Sequence, residues 1–387
     1  MDLSFATYLY GPRRSGKSTI CMQLLEIAAT ASDETSCLYL NLEDPVFAGN
    51  LDVKLLEWAV REHAKAHGKE PKFVFLDEAQ LVPMWEKFVR MAVDRKRFKA
   101  VVTGSSSKLL SSEFASSLGG RGIGFLVLPF SYREALLARP GMSLDEYCQR
   151  GGYPQAVLED DDGKRRKILL EFFDSAISKD IVTRYKIREG EKLRSLAVYA
   201  LTNSGNRFSF QKLRRATGLS FDSIRSYLDH LSEAYLIFKA GQFSFSLQQE
   251  MQKPRKYYAV DTGMQLAVSK ALSTDGGRRF ENLVGIELLR RGYEPQYWKG
   301  KNEVDFVVRD GLSSKALNVT LDAKPPAREI AGLEEFKAAF RKTCKSAEQL
   351  AGKEKIAQWL LSESALGTLR RRRQPRRRGA RTRTGTA

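Results

Sequence analysis

Gly11-Pro12-Arg13-Arg14-Ser15-Gly16-Lys17-Ser18-Thr19 sets four residues between two glycines and follows the second with an amine and two hydroxyls. It fits G-x-x-x-x-G-K-[ST]. Gly11 and Gly16 permit backbone angles that a Cβ obstructs. The N–H groups of such a loop converge on phosphate oxygens, reinforced by the N-terminus of a following helix. Lys17 suits the β- and γ-phosphates, and Ser18 suits Mg²⁺ through its hydroxyl. The whole run from Gly11 to Thr19 is the candidate nucleotide cradle.

A second set follows at Lys72-Phe73-Val74-Phe75-Leu76-Asp77-Glu78, an apolar run ending in two acids. Asp77 suits the water shell of Mg²⁺. Glu78 suits a base that orients an attacking water, which favours hydrolysis over transfer to a metabolite. No NKxD-like guanine-reading motif stands in a suitable place, so ATP is expected rather than GTP. Thr103-Gly104-Ser105 offers a polar tip, and Ser105 is the candidate γ-phosphate sensor; an ordinary Ser/Gly turn is the competing reading. Arg121, framed by Gly119, Gly120 and Gly122, is a candidate γ-phosphate contact in its own subunit or a neighbour's, or else an exposed loop arginine.

Three strands must position these groups. Phe5 to Tyr10 reads as a buried strand entering the glycine loop, and Ser18 to Ala31 as the helix leaving it, with Ile20, Leu24, Leu25 and Ala28 on one face. The acidic pair ends a second strand and Ala100 to Thr103 forms a third. Strand before and helix after is the context that the loop motif requires.

The chain has 387 residues, 42% hydrophobic and 28% charged, which suits two or three globular domains. Cys21, Cys37, Cys148 and Cys344 are scattered, as reduced thiols of a cytoplasmic protein would be. No apolar run is long enough for a membrane span. His63 and His67 are placed for metal on a helix, but the lysines around them favour a solvated face. Half of the net charge of +18 comes from nine arginines between Arg370 and Ala387.

GPRRSGKST, FVFLDEAQ, TGSSSKLL, GGRGIGFLVLPFSYREAL and GGYP together resemble a prokaryotic AAA-type ATPase family with a C-terminal domain similar to PD-(D/E)XK nucleases. The resemblance continues through SKDIVTRY, KYYAVDTGM, GGRRFENLVGIELLRRG and WKGKNEVDFVV, from about Phe5 to Leu361. It implies ATP binding and hydrolysis on an α/β P-loop NTPase (AAA-like) parallel sheet.

Beyond the core, Lys192–Thr202, Phe210–Ala216 and Phe221–Ala234 read as helices, and Leu236–Phe245 as a strand pair turning at Gly241. This is a winged-helix pattern. Ser220, Ser223, Arg225, Ser226 and Tyr227 would meet DNA, whereas Asp222 and Asp229 would repel it; a lid over the nucleotide domain is the other use. The C-terminal resemblance implies a restriction-endonuclease-like α/β domain with Glu281 on a helix and Asp305 on a strand. A working site also needs an acid, one residue, then lysine. Asn318-Val319-Thr320 stands there instead, and Asp322-Ala323-Lys324 is a shifted substitute.

The expected division is 1–137 ATPase core, 138–189 helical linker or lid, 190–260 winged helix, 261–363 nuclease-like domain and 364–387 disordered Arg-rich tail. The tail suits phosphate neutralisation without sequence reading, or is an appendage, since the resemblance stops before it. The expected function is a Mg²⁺-dependent ATPase passing its nucleotide state to a DNA or protein partner, with a homo-oligomer open. The alternatives are an ATP-dependent nuclease and a nucleotide-gated protein-binding switch.

Overall fold

The apolar runs around the glycine loop and the acidic pair form one parallel sheet. The computed structural model describes residues 3–105, 118–244, 246, 253–269 and 276–362. In chain order come β1 (Ala6–Tyr10), α1 (Lys17–Ala31), β2 (Cys37–Asn41), α2 (Val53–His67), β3 (Phe73–Asp77), α3 (Trp85–Asp94), β4 (Lys99–Gly104) and β5 (Gly122–Leu126). The sheet order is β2-β3-β4-β1-β5, every neighbouring pair parallel. Asn41 pairs with Asp77, and Tyr10 with both Gly104 and Leu126, so the strand ends share one rim. Cys21 and Ala28 of α1 cover Phe75 and Val101 on one face. Leu56, Val60, Phe88 and Val89 cover Val74, Leu76 and Val102 on the other. A sheet buried on both sides explains why β3 and β4 are almost continuously apolar rather than alternating.

After β5 the chain becomes helical. α4 (Tyr132–Ala138) starts on a capping box between Ser131 and Glu134. α5 (Leu144–Arg150), α6 (Pro154–Leu158) and α7 (Asp162–Ser175) follow, and α7 runs unbroken into a π-helical segment, Ala176–Thr183. Then come α8 (Gly190–Thr202), α9 (Phe210–Thr217), α10 (Phe221–Glu233), β6 (Ile237–Ala240), β7 (Lys256–Ala259) and α11 (Thr262–Val268). Phe173, Ile177, Ile181, Leu196, Leu213, Ile224 and Leu228 share their core.

The expected strand pair turning at Gly241 is not formed. β6 pairs antiparallel with β7 instead, and the chain after Ala240 runs on to the next sheet. There the Tyr297 amide donates to Gly241 O at 2.9 Å and the Phe243 amide to Tyr297 O at 2.6 Å. Phe243 is buried with Trp298 and Phe336, and this apolar anchor outweighs the local turn signal at Gly241.

Two motifs distant in sequence meet at Asp261. Its carboxylate accepts from the Gly152 amide at 2.6 Å and caps α11 through the Met264 amide at 2.7 Å. A Cβ on Gly263 would lie 2.1 Å from Arg150 O, so the GGYP turn and the VDTG turn fit only backbone to backbone.

The last unit is α12 (Gly276–Arg290), β8 (Gln296–Lys299), β9 (Glu303–Asp310), β10 (Ser313–Thr320), α13 (Ala327–Ala339), β11 (Cys344–Ala351) and α14 (Lys353–Leu361), with sheet order β11-β10-β9-β8. β10 and β11 are parallel and the other pairs antiparallel. Leu283 and Val284 of α12 pack with Phe306 and Val308, together with Leu128 and Tyr132 from the end of the first unit. The Arg-rich tail, 364–387, lies outside the described residues. Among the described residues no helix is long and apolar enough to cross a membrane.

Candidate functional site

β1 ends at Tyr10, and the chain turns at Gly11 with φ 145°. A Cβ there would lie 2.2 Å from Val127 O, because β5 ends directly alongside. Gly16, at φ 100°, opens α1 with no side-chain cap, so the first N–H groups of the helix face the loop. Lys17 is 4% exposed and donates to Gly11 O at 3.1 Å and Pro12 O at 2.7 Å. Burial lowers its pKa to about 8, against the opposing pull of Glu78. The amine is thus folded over the loop it serves.

Asp77 closes the opposite side. Ser18 Oγ donates to Asp77 Oδ1 at 3.2 Å and Tyr39 OH to Oδ2 at 3.0 Å, while the Thr103 hydroxyl also donates to Oδ1. The Glu78 amide donates to Thr103 Oγ1 at 3.0 Å, and Gln80 Nε2 donates to the Glu78 carboxylate and, at 3.4 Å, to Ser105 Oγ. Ser105 is therefore beside Glu78 through Gln80, and Thr103 is the strand-tip hydroxyl that touches the acidic pair. Glu78 sits at φ 55°, a left-handed conformation that turns its side chain away from the strand line.

A cavity of about 480 Å³ opens over the loop, lined by Arg13, Arg14, Gly16, Lys17, Ser18, Thr19, Glu43 and Glu78. The helical unit supplies the rest of its wall, namely Pro154, Gln155, Glu171, Phe172, Ser175 and Lys179. Arg13 Nε lies 2.8 Å from both carboxylate oxygens of Asp180, and Nη1 is 3.7 Å from Glu43 Oε1. Sequence reasoning missed Tyr39, Thr103 and Asp180. Thr103 and Tyr39 lie on strands beside Asp77; Asp180 is too far along the chain to give a local signal.

Arg121 is not brought to this site. Parallel pairing sets it beside Ala6, whose amide donates to Arg121 O at 2.8 Å, at the rim opposite the loop. The length of β5 alone separates the two rims by about 13 Å. Its guanidinium pairs with Asp94 at the end of α3. The same-subunit contact expected for Arg121 is therefore corrected: it holds the sheet's far rim.

The carboxylates of the last unit are engaged by the protein itself. Lys256 Nζ, from β7, lies 3.4 Å from Glu281 Oε1 and 2.8 Å from Glu303 Oε1, and Arg207 pairs with Glu303. Burial opposes the Lys256 charge, but Glu281, Asp305 and Glu303 outweigh it and raise its pKa. Burial, and then Glu281, raises the pKa of Asp305. Asp305 Oδ2 accepts from the Val319 amide at 2.9 Å, and the buried Asn318 side chain accepts from the Asp305 amide at 2.9 Å and donates to Glu329 O at 2.9 Å. Asp322 and Lys324 are exposed beyond the end of β10. Among the described residues no group of three or more His, Cys, Asp or Glu side chains is placed to share a metal. His63 and His67 pack against each other with their rings tilted by 53°, centroids 4.6 Å apart.

A model described as an AAA domain matches residues 4–136, the segment that holds the loop and the acidic pair, and a domain of unknown function, DUF8612, matches 142–275. The chain is 32% identical over 325 residues to an uncharacterized protein of Methanocaldococcus jannaschii, covering 78% of this chain and 71% of the relative. It is 31% identical over 359 residues to an uncharacterized protein of Haemophilus influenzae, covering 88% of each. The chain belongs to their family. It is a family whose member here joins an AAA domain to a DUF8612 domain, and the cavity over the phosphate-type loop lies between those two domains. Two solved structures are distantly similar. The Aeropyrum pernix Orc1 protein in complex with DNA is 12% identical, covering 68% of this chain and 86% of its own, with a TM-score of 0.35. AMPPCP-bound DnaA from Aquifex aeolicus is 14% identical, covering 59% and 82%, with a TM-score of 0.31.

Proposed function

We propose that this AAA-family chain is a Mg²⁺-dependent ATPase that passes its nucleotide state to a partner. The observation that carries the reading is the convergence of Lys17 and Ser18 from the loop with Asp77 and Glu78 from the end of β3 on one rim, with Ser18 bonded directly to Asp77 and Lys17, Ser18 and Glu78 lining one cavity. The Ser18 hydroxyl and Asp77 carboxylate, 3.2 Å apart, are a hard oxygen pair that fits Mg²⁺. When bound, Mg²⁺ would neutralise charge on the phosphoryl oxygens. Lys17 exchanges its two carbonyl partners for phosphate oxygens, and the loop's N–H groups hold the remaining charge. Glu78, steadied by Gln80, orients the attacking water and takes its proton.

The partner surface we favour is DNA-facing. The unit from 190 to 260 has three helices and an antiparallel strand pair, and exposes Lys212, Arg214, Arg215 and Arg225 on α9 and α10. Basic side chains beside a helix whose start is capped by Ser220 suit phosphate contacts. Asp222 is exposed on the same helix, and this favours the second reading, a protein partner. The ATP-dependent nuclease reading is disfavoured because Lys256 engages Glu281 and Glu303 and the Val319 amide engages Asp305. The test is steady-state ATP hydrolysis with and without duplex DNA, on the full chain and on a chain ending at Leu369. Stimulation retained without the tail supports coupling of DNA to the ATP site through 190–363. Intact basal turnover with no stimulation would turn the search to a protein partner.

A further inference from the structure

The two arginines of the glycine loop both reach across to the helical unit. Arg14, at φ 63°, carries its guanidinium 5.8 Å from the ring centre of Phe172 on α7. Arg13 uses Nε to reach both oxygens of Asp180, in the π-helical segment that continues α7. Phe172 and Asp180 belong to the DUF8612 domain, and the loop belongs to the AAA domain. The Asp180 side chain is 12% exposed and that of Arg13 is 23% exposed, so the pair is shielded enough to count for more than a surface ion pair. π-helical turns are rare and occur frequently at functional sites.

We propose that Asp180 is the positioning residue through which the second domain reads the nucleotide: it holds Arg13 by Nε, and the terminal nitrogens, of which Nη1 lies 3.7 Å from Glu43, turn to a phosphate in the loop. Arg13 lines the cavity over the loop. Guanidinium geometry allows one edge to serve a carboxylate while the other serves a phosphate, which lysine cannot do. A γ-phosphate held by the terminal nitrogens of Arg13 would pin the guanidinium in one orientation, so that its pair with Asp180 forms at a lower ordering cost and the π segment is steadied against the loop. Docking of the π segment would, by linkage, raise nucleotide affinity by the same factor. Burial and the like charge of Glu78 oppose the Asp180 carboxylate, and Arg13 favours it. This inference rests on the ATPase reading and names how that site is coupled.

The experiment uses the full chain with AMPPCP and Mg²⁺. Hydrogen exchange is followed over 176–183 with and without the nucleotide, and affinity is measured for wild type, Asp180→Asn and Asp180→Glu. The expected result is slower exchange in that segment when wild type binds. Asp180→Asn should lose that protection and bind about tenfold or more weakly, within the usual range of coupling factors. Asp180→Glu, which keeps the charge, should recover part of both. Wild type that binds nucleotide without any change at 176–183 overturns the inference and leaves the ATPase reading standing, and it decides the matter even where Asp180→Asn folds poorly. Weaker binding by Asp180→Asn with protection retained marks a merely structural pair and also overturns it. Wild type that binds no nucleotide overturns both.

Discussion

The Thr103 hydroxyl stands between the two acids at the end of β3: it donates to Asp77 Oδ1 and accepts the Glu78 amide at 3.0 Å. It fixes both the metal-side carboxylate and the turn that aims the catalytic one. Thr103→Val keeps the shape and removes both bonds. A buried amide left without an acceptor costs about 1–3 kcal/mol. The melting temperature should fall by several degrees, and turnover should fall more than nucleotide affinity, as separate binding and rate measurements would reveal.

Lys17→Ala removes the buried amine that meets the phosphates. Charge-assisted bonds of this kind are worth roughly 1.5–3 kcal/mol each. Nucleotide affinity should drop by about a hundredfold or more in equilibrium binding, and an unchanged dissociation constant would remove Lys17 from the site.

Gly11→Ala tests the loop's fit to β5. The added methyl would lie 2.2 Å from Val127 O, and the φ of 145° already disfavours a side chain. The loop has to move, so nucleotide binding should be lost together with about 2–4 kcal/mol of stability, on the scale of strained core substitutions. Gly120→Ala, at φ 78° but with open space around it, should cost less.

Asp261 makes stability depend on pH. Burial raises its carboxyl to about 6, with backbone bonds to Gly152 and Met264 pulling the other way. Its unfolded value is near 3.9. The folded chain therefore binds this proton more tightly than the unfolded chain. The contribution is fully present below about pH 4 and is lost as pH rises through 6, by roughly 3 kcal/mol. Asp261→Asn should flatten that part of the denaturation profile measured from pH 4 to 7.

What was legible in the sequence was local. Gly11 to Thr19, Asp77 and Glu78 signal themselves by type and spacing, and the strands before them are apolar because both faces of the sheet are covered. What was not legible was long-range. Nothing near Arg13 names Asp180, and nothing near Gly241 says that the chain will pair with Tyr297 rather than turn back. β11 was invisible because its residues, Cys344–Ala351, are largely polar and lie at a sheet edge with only Leu350 buried. Arg121 misled because its flexible glycine frame was expected close to the nucleotide face, whereas parallel pairing places it at the far rim.

Hydrolysis turns on Glu78. Steady-state ATP turnover with Mg²⁺ should be measured for wild type and Glu78→Gln, alongside nucleotide affinity for each. Wild type should turn over, and Glu78→Gln should keep an affinity within a few-fold of it with turnover lowered by about 10²–10⁴, the usual share of a general base. Equal turnover by the two proteins, or none by a wild type that binds ATP, would contradict it.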